Sequence, residues 1–93
     1  MNTDISEGNI MIDNNSMVRY CILGFNNNEV FIMNELLNWS VVSIEECMDS
    51  EFIRNESIMS IPYFIKHCVN ESVDLTKFEV VMDEFEKFKR KGK

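Results

Sequence analysis

Three consecutive asparagines, Asn26 to Asn28, constrain the fold most, because they separate two runs rich in β-branched, aromatic and other apolar residues. The first run spans residues 17–25 and the second spans residues 29–33. Asparagine tolerates the positive φ angles that tight turns require. The pattern therefore predicts two antiparallel strands joined as a hairpin, with Gly24 forming a bulge before the turn.

The stretch before this hairpin, residues 1–16, is rich in Asn, Asp, Ser and Gly. Its one short apolar stretch lies at residues 10–12. This composition predicts a weakly ordered start, or at most a weak edge strand beside the hairpin.

Beyond the second run the apolar period changes from two to about 3.6. A capping box formed by Ser43 and Glu46 predicts a helix over residues 43–54, and Asn34 offers an earlier N-cap. Residues 38–42 contain β-branched and aromatic side chains that suit a strand, so a third strand there stays open. The apolar stripe on which the helix prediction depends is Leu37, Val41, Ile44, Met48 and Phe52.

Two further helices are predicted in the C-terminal half. A serine followed by Ile-Pro opens the first, over residues 61–69, because proline is tolerated in the first turn of a helix. The second runs over about residues 74–91, with acidic residues near its start and basic residues near its end, as the helix dipole favours. Thr76 with Glu79 would instead cap this last helix one turn later.

The predicted fold class is α+β. A length of 93 residues fits one domain over residues 1–93, with an N-terminal hairpin followed by about three helices and a basic tail at residues 89–93. The net charge is 9 − 16 = −7. Residues 1–86 hold four cations and sixteen carboxylates, or 4 − 16 = −12, and the last seven residues add +5. Such an acidic body repels nucleic acid and acidic membranes and attracts basic protein surfaces.

Several features of the sequence indicate a cytoplasmic protein. The first residues lack the basic and apolar regions of a secretory signal, and no run of 18 apolar residues predicts a membrane span. Three cysteines at wide spacings are typical of reduced, buried thiols. The many Asn and Ile residues, whose codons are AT-rich, hint at a phage or plasmid origin.

No residue pattern in the sequence points to catalysis. Cys21, Cys47, His67 and Cys68 lack the spacing of a metal site, and the three glycines are isolated, so no phosphate loop is expected. The one conceivable nucleophile arrangement pairs Cys21 or Cys47 with His67. We therefore expect no enzymatic activity, no metal and no cofactor.

Two features indicate binding to protein. The first is an acidic face, which could occupy a basic cleft of a partner protein: Glu29, Glu35, Glu45, Glu46, Asp49 and Glu51. The second is an apolar stripe on the final helix, which could form a dimer seam: Phe78, Met82, Phe85 and Phe88. The leading hypothesis is a small inhibitor or an immunity or anti-defence protein. The alternative is a structural or adaptor homodimer assembled through the final helix.

Overall fold

A computed structural model describes residues 6–47, 52–58 and 60–90. Its strands are β1 (Asn9–Asp13), β2 (Arg19–Asn26), β3 (Glu29–Asn34), β4 (Trp39–Ser43) and β5 (Phe52–Ile58). Its helices are α1 (Ile44–Cys47), α2 (Ile61–Cys68) and α3 (Lys77–Arg90). The strands form one sheet in the order β4-β3-β2-β1-β5, and every neighbouring pair is antiparallel. The fold is α+β, as predicted.

The predicted hairpin is formed by β2 and β3. Asn26 pairs with Glu29 across the turn, and Asn27 has a φ of 56°, the conformation that asparagine tolerates. The register shifts between Ile22 and Gly24, which confirms the bulge. A Cβ atom at Gly24 would lie 2.8 Å from the ring of Phe85, so the glycine also lets α3 approach the sheet closely.

The weak edge strand expected at the N-terminus is instead the interior strand β1. It pairs with β2 on one side and with β5 on the other. Ile10 and Met11 are only 2% and 0% exposed, because successive side chains of a strand point to opposite faces and both faces are covered here. The polar residues around Ile10 and Met11 made this stretch resemble a weak edge strand, although the two side chains are buried on opposite faces of the sheet.

The helix predicted over residues 43–54 is wrong. The chain forms β4 up to Ser43, which confirms the alternative third strand, and α1 follows over Ile44–Cys47 of the described residues. β5 begins within the predicted helix, at Phe52. Pairing with β3 places Val41 opposite Phe31 and Val42 opposite Val30, so both valines are partly buried, one on each face. Val41 and Val42 are β-branched and therefore favour a strand here, and the apolar spacing of about 3.6 residues did not produce the predicted helix.

The capping box and the earlier N-cap had different outcomes. Ser43 Oγ accepts a hydrogen bond from the Glu46 backbone N–H at 3.1 Å, so the capping box forms and starts α1. Asn34 caps no helix. Its Oδ1 accepts from the backbone N–H groups of Leu36 and Asn38, which closes the turn between β3 and β4.

The two C-terminal helices follow the sequence closely. α2 begins where predicted, with Ser60 Oγ accepting from the Tyr63 backbone N–H. α3 begins at Lys77, the later of the two predicted starts, because Asp74 Oδ1 accepts from the Thr76 backbone N–H and holds the preceding residues in a turn. Lys89 of the expected basic tail lies in the last turn of α3 and pairs with Glu86 at 2.8 Å. Residues 91–93 lie outside the described residues.

The sheet buries apolar residues on both faces. α2 and α3 cover the face that we call the α3 face, where Phe31 contacts Phe85 and Phe88 at ring-centroid distances of 5.1 and 5.4 Å. The opposite face, the α1 face, carries Cys47 and four buried strand residues, Met11, Ile22, Val30 and Ile32. None of the helices in the described residues is long and apolar enough to cross a bilayer.

Candidate binding surfaces

Three of the six predicted acidic residues lie together at one end of the sheet. Glu29 begins β3 next to the β2–β3 turn, and Glu45 and Glu46 lie on α1. The turn holds α1 through two contacts, since the Asn28 carbonyl accepts from the Ile44 N–H and the Asn28 amide donates to Glu45 at 2.8 Å. We call Glu29, Glu45 and Glu46 the acidic end.

The carboxylates on α1 are exposed and held in place. The pKa of Glu45 is lowered, chiefly by the hydrogen bond from the Asn28 side chain, so this group stays ionised to lower pH. Glu46 accepts a hydrogen bond from Ser43 Oγ at 3.3 Å. Within the described residues neither carboxylate forms an ion pair with a cationic side chain. Both negative charges are therefore presented to solvent in fixed positions.

The other three predicted acidic residues are not part of this end. Glu35 follows β3 at the opposite end of the sheet and pairs with Arg19 at 2.9 Å. The Arg19 backbone N–H also donates to Glu35, and the hydrogen bond to Glu35 raises the pKa of the guanidinium. Glu35 therefore joins β2 to the end of β3 and is engaged within the chain. Asp49 and Glu51 lie outside the described residues.

The predicted dimer seam packs inside the chain. Phe85 and Phe88 are 7% and 5% exposed and lie against the α3 face of the sheet, and Phe78 and Met82 are partly buried against the same cluster. The amphipathic stripe of α3 is thus already covered by the chain's own strands. Phe85 and Phe88 are therefore engaged within the chain, and Phe78 and Met82 keep only part of their surface exposed.

The thiol–imidazole pair considered from the sequence is not assembled. Cys47 lies on the α1 face, whereas α2, which carries His67, packs on the α3 face. Cys21 is buried, and burial raises the pKa of both Cys21 and Cys47 to about 11, which disfavours the thiolate. His67 is exposed and contacts Tyr63, with ring centroids 4.1 Å apart. In the described part of the chain no group of His, Cys, Asp or Glu could hold a metal ion.

A second surface, which the sequence reasoning missed, lies along β4. Trp39 is 40% exposed, although its ring stacks on Phe31 at 5.3 Å and 7°. It stands between two cavities of about 320 and 250 Å³ that lie between β4 and α3. Lys77 and Val80 help to line the first cavity, and Val41, Glu84, Lys87 and Phe88 the second. The available signal was the single tryptophan in a stretch that suited a strand.

Comparison with known proteins places this chain in no family. No protein-family model matches it, and no curated protein or solved structure is significantly similar to it. The acidic end and the β4 surface are therefore interpreted from their own geometry.

Proposed function

We propose that this chain is a protein-binding protein without catalytic activity, an inhibitor or immunity-type protein that acts in the cytoplasm. Its acidic end binds a basic cleft of a partner protein. The observation that supports this proposal is the exposed pair Glu45 and Glu46, which is fixed by hydrogen bonds at the end of the sheet where Glu29 begins β3.

The physical argument concerns charge and rigidity. A carboxylate that is already fixed by a neighbouring amide, as Glu45 is by Asn28, loses little conformational freedom on binding. The net charge of −7 attracts a positively charged partner over long range and increases the rate of encounter. Such a protein needs no catalytic group, only a stable scaffold that keeps its charges in place.

The test is an affinity capture from a lysate of the organism that encodes the chain, with three baits. The first bait is the wild type and the second carries Glu29→Gln with Glu45→Gln. Glu46 is left unchanged because it belongs to the capping box of α1. The matched control carries Glu71→Gln with Asp83→Asn, which removes the same amount of charge from exposed positions elsewhere.

We expect the wild type and the control to retain one basic protein in stoichiometric amount, and the acidic-end variant to lose it. Circular dichroism and thermal melting of the three baits check that all of them are folded. Equal capture by all three baits, or equal loss in both variants, would contradict the proposal.

A further inference from the structure

We propose that β4 joins two copies of this chain into a homodimer. The two β4 strands pair antiparallel about a two-fold axis at Ser40, so that the two five-stranded sheets become one continuous sheet. This interface differs from the α3 seam expected from the sequence, and its backbone pairing does not depend on the partner proposed for the acidic end.

The backbone of β4 has hydrogen-bonding groups directed away from β3. The Asn34 N–H donates to Asn38 and the Ile44 N–H donates to Asn28, which fixes the hydrogen-bonded positions of the β3–β4 pair. Because these positions alternate in an antiparallel pair, Ser40 and Val42 bond to β3. The N–H and C=O groups of Trp39, Val41 and Ser43 therefore point to the outer edge of the sheet.

This edge lacks the features by which proteins protect an outer strand. Charged side chains, proline and bulges usually prevent edge strands from pairing with other chains. The sequence of β4, WSVVS, has no charged residue and no proline, and its pairing with β3 is regular. Among the described residues, a partner is found for one of these outer groups, the Ser43 N–H, which donates to the Glu46 carboxylate at 3.4 Å. The groups left for a second strand are those of Trp39 and Val41.

These groups define the register of the dimer. Trp39 of one copy pairs with Val41 of the second copy, and the two-fold axis repeats the pair, which gives four backbone hydrogen bonds. The Trp39 side chain of each copy then lies opposite the Val41 of the other. Val41 lines the cavity of about 250 Å³ beside Phe88, so the exposed tryptophan of one copy meets the apolar side chain of Val41 of the other at the rim of this cavity. The edge is therefore self-complementary in both backbone and side chains.

The charges at the two ends of β4 also match. Lys77 lies at the start of the strand, with its Nζ 3.2 Å from Asn38, and Glu46 lies at the end of the strand beside Ser43. Antiparallel pairing brings the Lys77 end of each β4 strand to the Glu46 end of the other, so opposite charges lie at both ends of the joined strands. The acidic ends lie at opposite ends of the joined strands, which limits the repulsion between two chains of net charge −7.

The first experiment uses a cysteine on the two-fold axis. In this register the Ser40 residues of the two copies face each other with Cα atoms about 4.5 Å apart, within the range of about 4.4–6.8 Å that a disulfide spans. The native cysteines Cys21, Cys47 and Cys68 are buried and do not compete. Ser40→Cys should form a covalent dimer under mild oxidation at least about tenfold faster than the control Ser72→Cys, which is also exposed.

The second experiment measures mass by sedimentation equilibrium from low to high micromolar concentration. The wild type should approach twice 11.0 kDa. Lys77→Glu should weaken the dimer, because it replaces the cation at the start of β4 by an anion. Lys66→Glu changes the net charge as Lys77→Glu does, but at an exposed position on α2, so it should leave the dimer intact.

A wild type that stays at 11.0 kDa, with Ser40→Cys oxidising no faster than Ser72→Cys, would overturn the proposal. That result would leave the β4 edge to an extended peptide of another protein. A dimer that does not respond to Lys77→Glu, and in which Ser40→Cys does not cross-link, would place the contact elsewhere and also overturn it.

Discussion

The two faces of the sheet are built from different kinds of side chain. On the α3 face, phenylalanine rings from β3 and α3 pack on one another: Phe31, Phe85 and Phe88. On the α1 face the buried residues are aliphatic or contain sulfur: Met11, Ile22, Val30, Ile32 and Cys47. The acidic end lies beside α1.

We therefore expect the aromatic cluster of the α3 face to determine stability and the acidic end beside α1 to determine binding. The aromatic cluster joins α3 to the strands, so substitutions there should act on the folded state as a whole. On α1 the Glu45 and Glu46 carboxylates are exposed and held by hydrogen bonds to nearby polar groups, so replacing Glu45 should alter binding and leave the fold nearly unchanged. Each prediction below tests one side of this division.

The largest effect is expected for Phe31→Ala. This ring is fully buried and contacts Trp39, Phe85 and Phe88, and deletion of such a ring typically costs about 3–5 kcal/mol. We expect most or all of the stability to be lost in urea denaturation. A loss below about 1 kcal/mol would show that the aromatic cluster does not dominate the core.

Gly24→Ala should have the next largest effect. The new Cβ would lie 2.8 Å from the Phe85 ring, and overpacking of this kind costs about 1–3 kcal/mol. In a Phe85→Leu background the same substitution should cost less, because the smaller side chain leaves space. Urea denaturation of the four proteins in this double-mutant cycle gives the coupling, and an equal cost in both backgrounds would contradict the close contact.

A smaller effect is expected on the α1 face for Ile32→Val. Removing one methyl group from this buried aliphatic cluster should cost about 0.5–1.5 kcal/mol, again by urea denaturation. The variant should retain the partner that the wild type captures. If it lost as much stability as Phe31→Ala, the two faces would not differ in the way described.

The last prediction concerns pH. Burial raises the pKa of Cys21 and Cys47 from 9.0 to about 11, so the folded chain binds more protons than the unfolded chain between these values. The free energy of unfolding should therefore fall as pH rises from 9 towards 11. Cys21→Ala with Cys47→Ala should flatten this dependence, and identical slopes in wild type and variant would contradict it.

The parts of the fold that the sequence predicted are those with local causes. Asn27 adopts the turn conformation that asparagine favours, and Ser60 and Pro62 start α2 through contacts within one turn. The capping box of Ser43 and Glu46 formed as well, because it also needs only neighbouring residues.

The features that the sequence could not predict depend on pairing between distant residues. β5 exists because it pairs with β1, whose residues lie 39 to 49 positions earlier, and its first residues fell within the helix predicted from the apolar stripe. Glu35 is not part of the acidic end because it forms an ion pair with Arg19, which lies 16 positions earlier in the sequence. The role of Trp39 followed from the position of β4 at the edge of the sheet, which only the order of the strands reveals.

The most direct test of the central claim is the salt dependence of the association rate between this chain and the partner that it captures. The account predicts a wild-type rate that falls by about tenfold or more from low to high salt, as electrostatic steering requires. Glu29→Gln with Glu45→Gln should lower the rate at low salt and weaken its salt dependence, whereas Glu71→Gln with Asp83→Asn should change both much less. A rate that is independent of salt, or that changes equally in both variants, would contradict binding through the acidic end.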